Sequence, residues 1–207
     1  MAFGLVLLSS TGVFAFSVTH LETEADFLAI ISDTLFIAQG RIGDLGGVTM
    51  CELQLCESTA VPVATAQYPW TSGAVEPFTI IYNSGTGLIT YTLGGKVLTY
   101  TMSYLLFGDL FVCTRAAVAN CSVIVNDLVL NGQSVGDFAS AVGPDTDILR
   151  ISGAVLANGF TLTGTATLAW ICEPPSQSDL MFEIRVAKLA VLGVQDESWG
   201  GIKALYR

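Results

Sequence analysis

The sequence lacks basic residues over its first forty positions and carries little charge anywhere. Only 13% of its 207 residues are charged, and 18 acidic residues against 8 basic ones give a net charge of −10. A chain of this kind repels phosphate backbones and anionic lipid surfaces. The composition therefore excludes nucleic acid as a partner.

The sequence contains one histidine, His20, and this limits the catalytic sites that can be assembled. Residues 132–136 match the G-x-S-x-G pattern of a hydrolase nucleophile elbow. An α/β-hydrolase needs its histidine after the serine, whereas His20 comes before it. We interpret 132–136 as a turn and predict that the protein is not an enzyme.

The sequence also lacks an apolar run of the roughly 20 residues that a transmembrane helix needs. Ser9, Ser10 and Gly12 interrupt the one candidate, which lies at the N-terminus. We therefore predict that the protein has no membrane span.

The apolar N-terminus has a second interpretation as an export signal. Val13 and Ala15 match the residue types found at positions −3 and −1 of a signal-peptide cleavage site. The basic residues that usually begin a signal peptide are missing. We predict that residues 1–15 are either an export signal or a retained N-terminal segment that is donated to a neighbour. Residues 16–207 are then expected to form a single domain.

Five cysteines are present, and in a small domain with an export-like start they favour an oxidising compartment. An odd number leaves at least one of them unpaired. The favoured disulfide joins Cys113 to Cys121. It would close a short loop and raise the free energy of unfolding by roughly 2.5 kcal/mol in the chain-entropy model. Cys51 and Cys56 need a bend in their strand to pair directly, so one of them is an alternative partner for Cys172.

Strand patterns dominate the remainder of the chain. Half of the residues are hydrophobic and 21 are glycine, which is typical of short strands joined by tight turns. Residues 160–170 and 180–186 alternate between apolar and polar positions. A hairpin over Leu88 to Thr101 turns at Gly94 and Gly95 and places Thr90 opposite Thr99.

Roughly ten such strands predict an all-β fold, an antiparallel β-sandwich of jelly-roll type. At most one short helix is expected, near residues 23–35, where apolar residues recur at helical spacing behind an acidic first turn. This helix is expected to cap one end of the sandwich.

Two ligand classes stay open at this point. Asp145 and Asp147, with Asp127 or Asp137, offer the oxygen atoms that calcium takes, but their spacing matches no calcium motif. No other cofactor is expected. An aromatic platform for stacking sugars would need four side chains on one solvent-facing sheet, and core packing is the alternative for them. The four are Tyr68, Trp70, Tyr82 and Tyr104.

Several stretches of the sequence resemble one family of bacterial surface domains. They are residues 67–82, 87–95, 126–132, 147–153 and 159–164. Together they resemble the choice-of-anchor W domains. The resemblance implies a secreted domain on the cell surface and brings no catalytic residues. Residues 198–207 lack an apolar tail and a sortase motif, which favours release or retention by self-association.

The N-terminal segment suggests how copies of the chain would associate. Phe14, Phe16 and Val18 alternate with small or polar residues, as in a strand. We predict a secreted, self-associating structural subunit of an extracellular filament or matrix, in which this strand joins a neighbour's sheet. The alternative is a glycan-binding surface module, with or without calcium.

Overall fold

A computed structural model describes residues 16–42, 52–57, 61–102, 108–154 and 156–189. Over these residues the chain forms two antiparallel sheets and one short helix, which confirms the all-β sandwich. The first sheet runs in the order β1 (Ser17–Leu21), β12 (Asp145–Ser152), β8 (Asp109–Ala116), β14 (Leu180–Leu189), β2 (Ile31–Arg41), β3 (Leu53–Glu57) and β4 (Val61–Ala66).

The second sheet packs against the first across a shared core. Its order is β10 (Gln133–Ser134), β9 (Cys121–Leu130), β13 (Phe160–Trp170), β5 (Val75–Asn83), β6 (Leu88–Leu93) and β7 (Lys96–Thr101). A short strand β11 (Ala139–Val142) also pairs with β9. Of the described helices, none is long and apolar enough to cross a bilayer.

The core forms because each sheet turns alternate side chains inward. In β13, buried residues at even positions alternate with half-buried threonines at odd positions. In β14, Phe182, Ile184 and Val186 are fully buried and face the same cluster. Burial of an apolar side chain of this size contributes about 1.5 to 3 kcal/mol, so the alternating pattern fixes the register of both sheets.

The hairpin of β6 and β7 follows the predicted register. Tyr91 lies opposite Leu98, and Thr90 lies opposite Thr99. Gly94 and Gly95 both adopt positive φ angles, 51° and 79°, as a primed two-residue turn requires. The turn chemistry therefore determined this part of the sheet locally.

The helix α1 (Glu24–Ile30) is shorter than the predicted span of 23–35. Thr23 caps it, since its side-chain oxygen accepts a hydrogen bond from the backbone N–H of Asp26 at 3.1 Å. The chain then becomes strand β2 from Ile31 onward. The helical spacing failed here because pairing with β3 and β14 buries Phe36 and Ala38 at a period of two.

The helix also lies in a different place from the one predicted. It covers the outer face of the first sheet instead of an end of the sandwich, and Phe27 packs there in a separate cluster with Phe111 and Ile148. Arg185 on β14 lies 4.9 Å from the centre of the Phe27 ring and binds Glu24 at 2.7 Å. One of the two broad outer faces is therefore partly covered.

Candidate interaction surfaces

The N-terminal strand is part of its own subunit's sheet. β1 pairs antiparallel with β12, and Val18 lies opposite Ile151. Phe16 and Val18 are half-buried and pack against the central core, while Phe14 lies outside the described residues. β1 thus occupies the edge of β12 within its own chain, so donation of this segment to a neighbour would require β1 to leave that edge, and donation stays a prediction.

A small ionic cluster, which we call the His20 brace, fastens β1 to the second sheet. Nδ1 of His20 lies 2.7 Å from Oδ1 of Asp147 on β12, and Nε2 lies 3.4 Å from Oδ2 of Asp137. Asp137 precedes β11, and the N–H of Ser140 on β11 donates to the other oxygen of Asp147 at 2.9 Å. The brace thus ties together strands from both sheets.

The brace changes the titration of its histidine. Burial lowers the pKa of His20, but the hydrogen bond and charge of Asp147, followed by those of Asp137, outweigh burial and raise the pKa above 6.5. The residues next to His20 in the sequence indicated no ionic partner for its ring. Nothing in the local pattern showed that two aspartates more than a hundred residues away would meet it.

The predicted disulfide between Cys113 and Cys121 is not formed in the structure. Cys113 lies on the outer face of the first sheet, in the cluster with Phe27, whereas Cys121 belongs to the core between the sheets. The two thiols therefore point to opposite sides of β8. Burial raises the pKa of Cys113 to about 12, which keeps it in the protonated form.

The remaining cysteines are also unpaired where the structure describes them. Cys56 is buried on β3, and Cys172 is exposed in the turn after β13. Burial raises the pKa of Cys56 to about 11. Cys51 lies outside the described residues, so its pairing stays a prediction.

The predicted aromatic platform is not assembled on a solvent-facing sheet. Tyr82 is 2% exposed and faces the core. Trp70 packs edge to face between Tyr68, at 4.8 Å, and Phe182, at 6.4 Å, and so closes part of the core. Tyr104 lies outside the described residues. Core packing, the alternative considered for these residues, applies to the three that are described.

The described residues do not form a hydrolase site around 132–136 or a calcium site around the candidate aspartates. The turn lies at Asn131 and Gly132, which both have positive φ angles, and Gln133 and Ser134 then form the short strand β10, so only the first residue of 132–136 lies in that turn. Within the described ranges, no group of three or more His, Cys, Asp or Glu residues is placed to hold a metal ion. Calcium binding stays a prediction.

A broad surface of the second sheet, which we call the threonine face, is formed by the outward side chains of β9, β13, β5, β6 and β7. Its central row runs across the sheet from Val129 through Thr163, Thr79 and Thr92 to Val97. Its hydroxyl side chains are Thr79, Thr90, Thr92, Thr99, Thr101, Thr161, Thr163, Thr165 and Thr167.

The threonine face is nearly free of ionised groups. Asp127 sits on it at the bulge of β9, and its carboxylate accepts a hydrogen bond from the Thr165 hydroxyl at 3.2 Å. The apolar members include Val75 and Val97, which are 64% and 59% exposed. The alternation in residues 160–170 predicted a polar face on that one strand. It could not predict a surface shared by five strands, because that requires the strand order.

A polar groove of about 370 Å³ opens at one corner of the threonine face. It lies where β5 ends, β13 begins and the turn after β9 approaches them. Its lining comprises Ile81, Tyr82, Asn83, Ser84, Asn131, Asn158, Gly159, Phe160 and Thr161. The lining contains amides and hydroxyls and no ionisable carboxylate or amine.

Comparison of the chain with protein families and with curated proteins finds no match. The resemblance to the choice-of-anchor W domains therefore stays a prediction.

Proposed function

We propose that this protein is a secreted structural subunit that self-associates at the cell surface or in the extracellular matrix. Its copies pair through the threonine face. The observation that carries the proposal is a wide and nearly uncharged face on a chain whose net charge is −10.

Charge distribution favours a second copy of the chain as the occupant. Two molecules of net charge −10 repel one another over most of their surfaces. The threonine face removes that repulsion at the point of contact, since Asp127 is its one ionised side chain among the described residues. A basic partner would instead be drawn to the acidic remainder of the surface.

The size of the threonine face fits a stable contact. Five strands about 4.8 Å apart and roughly eight residues long cover on the order of 600 Å² in projection. The accessible area is larger because side chains stand out from the sheet, and a standard interface buries about 800 Å² on each partner. Val75 and Val97 are exposed on this face and supply apolar area that pairing would bury.

Export is supported by the sequence of the N-terminal segment. Residues 1–15 are almost wholly apolar and end in a cleavage-like pair of small or branched residues. Mass spectrometry and N-terminal sequencing of protein recovered from outside the natural host's cells test this part. Recovery only from inside the cells contradicts it.

The association is tested by placing charge in the central row of the threonine face. Thr92→Lys together with Thr163→Lys adds two cations to the threonine face. When two copies pair through this face, the added lysines of both copies lie in the same interface. Like charges in an interface cost several kcal/mol, so we expect the self-association constant from sedimentation velocity to fall by on the order of a hundredfold.

Thr65→Lys is the control for the effect of one added lysine away from the threonine face. Thr65 is exposed on β4 of the first sheet, opposite Gln54, so the same chemical change occurs on the other sheet. This variant should associate like the natural sequence. Equal loss in both variants, unchanged association in the double variant, or a natural protein that stays monomeric at high concentration contradicts the proposal.

A further inference from the structure

The polar groove at the corner of the threonine face has side chains held in fixed orientations. The backbone N–H of Gly85 donates to Oδ1 of Asn83 at 3.0 Å, and the backbone N–H of Thr161 donates to Oδ1 of Asn131 at 2.8 Å. Both amide oxygens are therefore used by the protein. The Nδ2 group of each amide is left as a donor at the groove.

The backbone around these amides is also constrained. Asn131 has a φ angle of 51° and begins the tight turn from β9 into β10. Gly159 has a φ angle of 98°, and a Cβ atom there would lie 3.0 Å from the carbonyl oxygen of Tyr82. The turn that carries Asn158 is thus packed closely against the end of β5, and Asn131 is held to the start of β13 by its hydrogen bond with Thr161. Preorganised donors of this kind lose little entropy when they bind a ligand.

The chemistry of the lining selects a neutral ligand with many hydroxyl groups. Asn83, Asn131 and Asn158 offer amides, and Ser84 and Thr161 offer hydroxyls that both donate and accept. The groove contains no cation to bind an acidic ligand, and the chain's charge of −10 repels one. Its volume of about 370 Å³ lies in the range of small-molecule sites.

We propose that this groove binds a neutral carbohydrate chain, with the Nδ2 groups of Asn83 and Asn131 donating to sugar hydroxyls. Ile81 is 42% exposed beside them and offers an apolar contact for the C–H face of a sugar ring. The site does not depend on self-association, since all of its lining residues come from one chain.

The test uses natural-sequence protein and a panel of neutral oligosaccharides, namely cellohexaose, laminarihexaose, maltohexaose and N-acetylchitohexaose. An acidic probe, oligogalacturonate, accompanies them. We expect at least one neutral probe to bind and to shift the side-chain amide signals of Asn83 and Asn131 in two-dimensional ¹⁵N NMR. Oligogalacturonate should not shift them.

Asn83→Asp together with Asn131→Asp tests the role of the donors. Aspartate keeps the oxygen that accepts from Gly85 or Thr161, tolerates the positive φ at position 131, and replaces Nδ2 by an acceptor. Loss of two neutral hydrogen bonds should weaken binding by about tenfold or more. Asn120→Asp is the control, since Asn120 is an exposed turn residue with a φ angle of 62° away from the groove.

Three outcomes overturn the proposal. They are no binding of any neutral probe at millimolar concentration, binding that leaves both side-chain amide signals unmoved, and equal loss of affinity in the Asn120→Asp control. If the double variant does not fold, Asn158→Ala takes its place, because Asn158 is exposed and its side chain lines the groove. Full affinity in that variant, with unmoved amide signals in the natural protein, also overturns it.

Discussion

His20 lies between two carboxylates that the fold brings from different sheets. The sequence shows the residue types but not their meeting, because Asp137 and Asp147 are distant in the chain and local periodicity carries no information about them. The same limit applies to Cys113 and Cys121. Their short spacing in the sequence favoured a disulfide. In the structure the thiols lie on opposite sides of β8, so the disulfide does not form.

The His20 brace predicts a specific dependence of stability on pH. The folded pKa of His20 is raised above 6.5, so its stabilising contribution is complete below that value and is lost as the pH rises through the folded pKa. We expect His20→Gln to lower the melting temperature more at about pH 5.5 than at a pH well above the folded pKa, where the ring is neutral in both states.

The measurement is direct because the chain has one histidine. An NMR titration of the His20 ring gives the folded pKa without any assignment by mutation. A value at or below 6.5, or a stability difference between natural and variant protein that grows with pH, contradicts the proposed role of the brace.

At the scale of single elements, local sequence patterns predicted some strands closely. They failed where pairing with distant strands determined the secondary structure. The β6–β7 hairpin followed from its two glycines and its alternating residues. The end of α1 did not, because Ile31 and Leu35 fit a helical stripe in sequence but lie on β2 in the fold. The outward threonines were visible strand by strand, whereas the threonine face depends on the order β9, β13, β5, β6 and β7.

The pairing of β1 within its own chain is testable by a designed disulfide. The hydroxyls of Ser17 and Ser152 lie 2.7 Å apart in directly opposed positions of β1 and β12. Cysteines at both positions should form a bridge inside one chain, since facing residues of antiparallel strands suit disulfide geometry. Non-reducing electrophoresis should then show a monomer with altered mobility.

The alternative outcome is equally clear in that experiment. If β1 were exchanged between subunits, the same two cysteines would join different chains and give covalent dimers or ladders. The single variant Ser17→Cys is the control, because it measures bridging by the native cysteines.

At the scale of the whole molecule, a net charge of −10 and one nearly uncharged face would together govern the proposed association. The two features contribute to the free energy of the proposed association with opposite signs. Apolar and hydroxyl contacts on the threonine face favour pairing, whereas the acidic remainder of the surface opposes it. Composition predicted the acidic surface and the all-β class. It did not predict the separation of charge from one face, which arises only when the strands are placed side by side.

Salt should therefore strengthen self-association. Raising the ionic strength from about 0.01 M to about 0.15 M shortens the screening length from about 30 Å to about 8 Å and so weakens the repulsion between two acidic molecules. The contact itself loses little, because it holds almost no ionised groups. Sedimentation equilibrium over this range should show a rising association constant, and a falling constant would indicate an interface built on ion pairs.

The position of α1 has a consequence for the geometry of any assembly. Because α1 and Arg185 cover part of the outer face of the first sheet, the two broad faces of the described sandwich differ, and the threonine face is the one on which no described helix lies. A contact between two identical sides is related by a two-fold axis and is complete once the pair has formed. The proposed pairing through the threonine face would therefore stop at two copies, and extension into a fibre would require a second contact of a different symmetry.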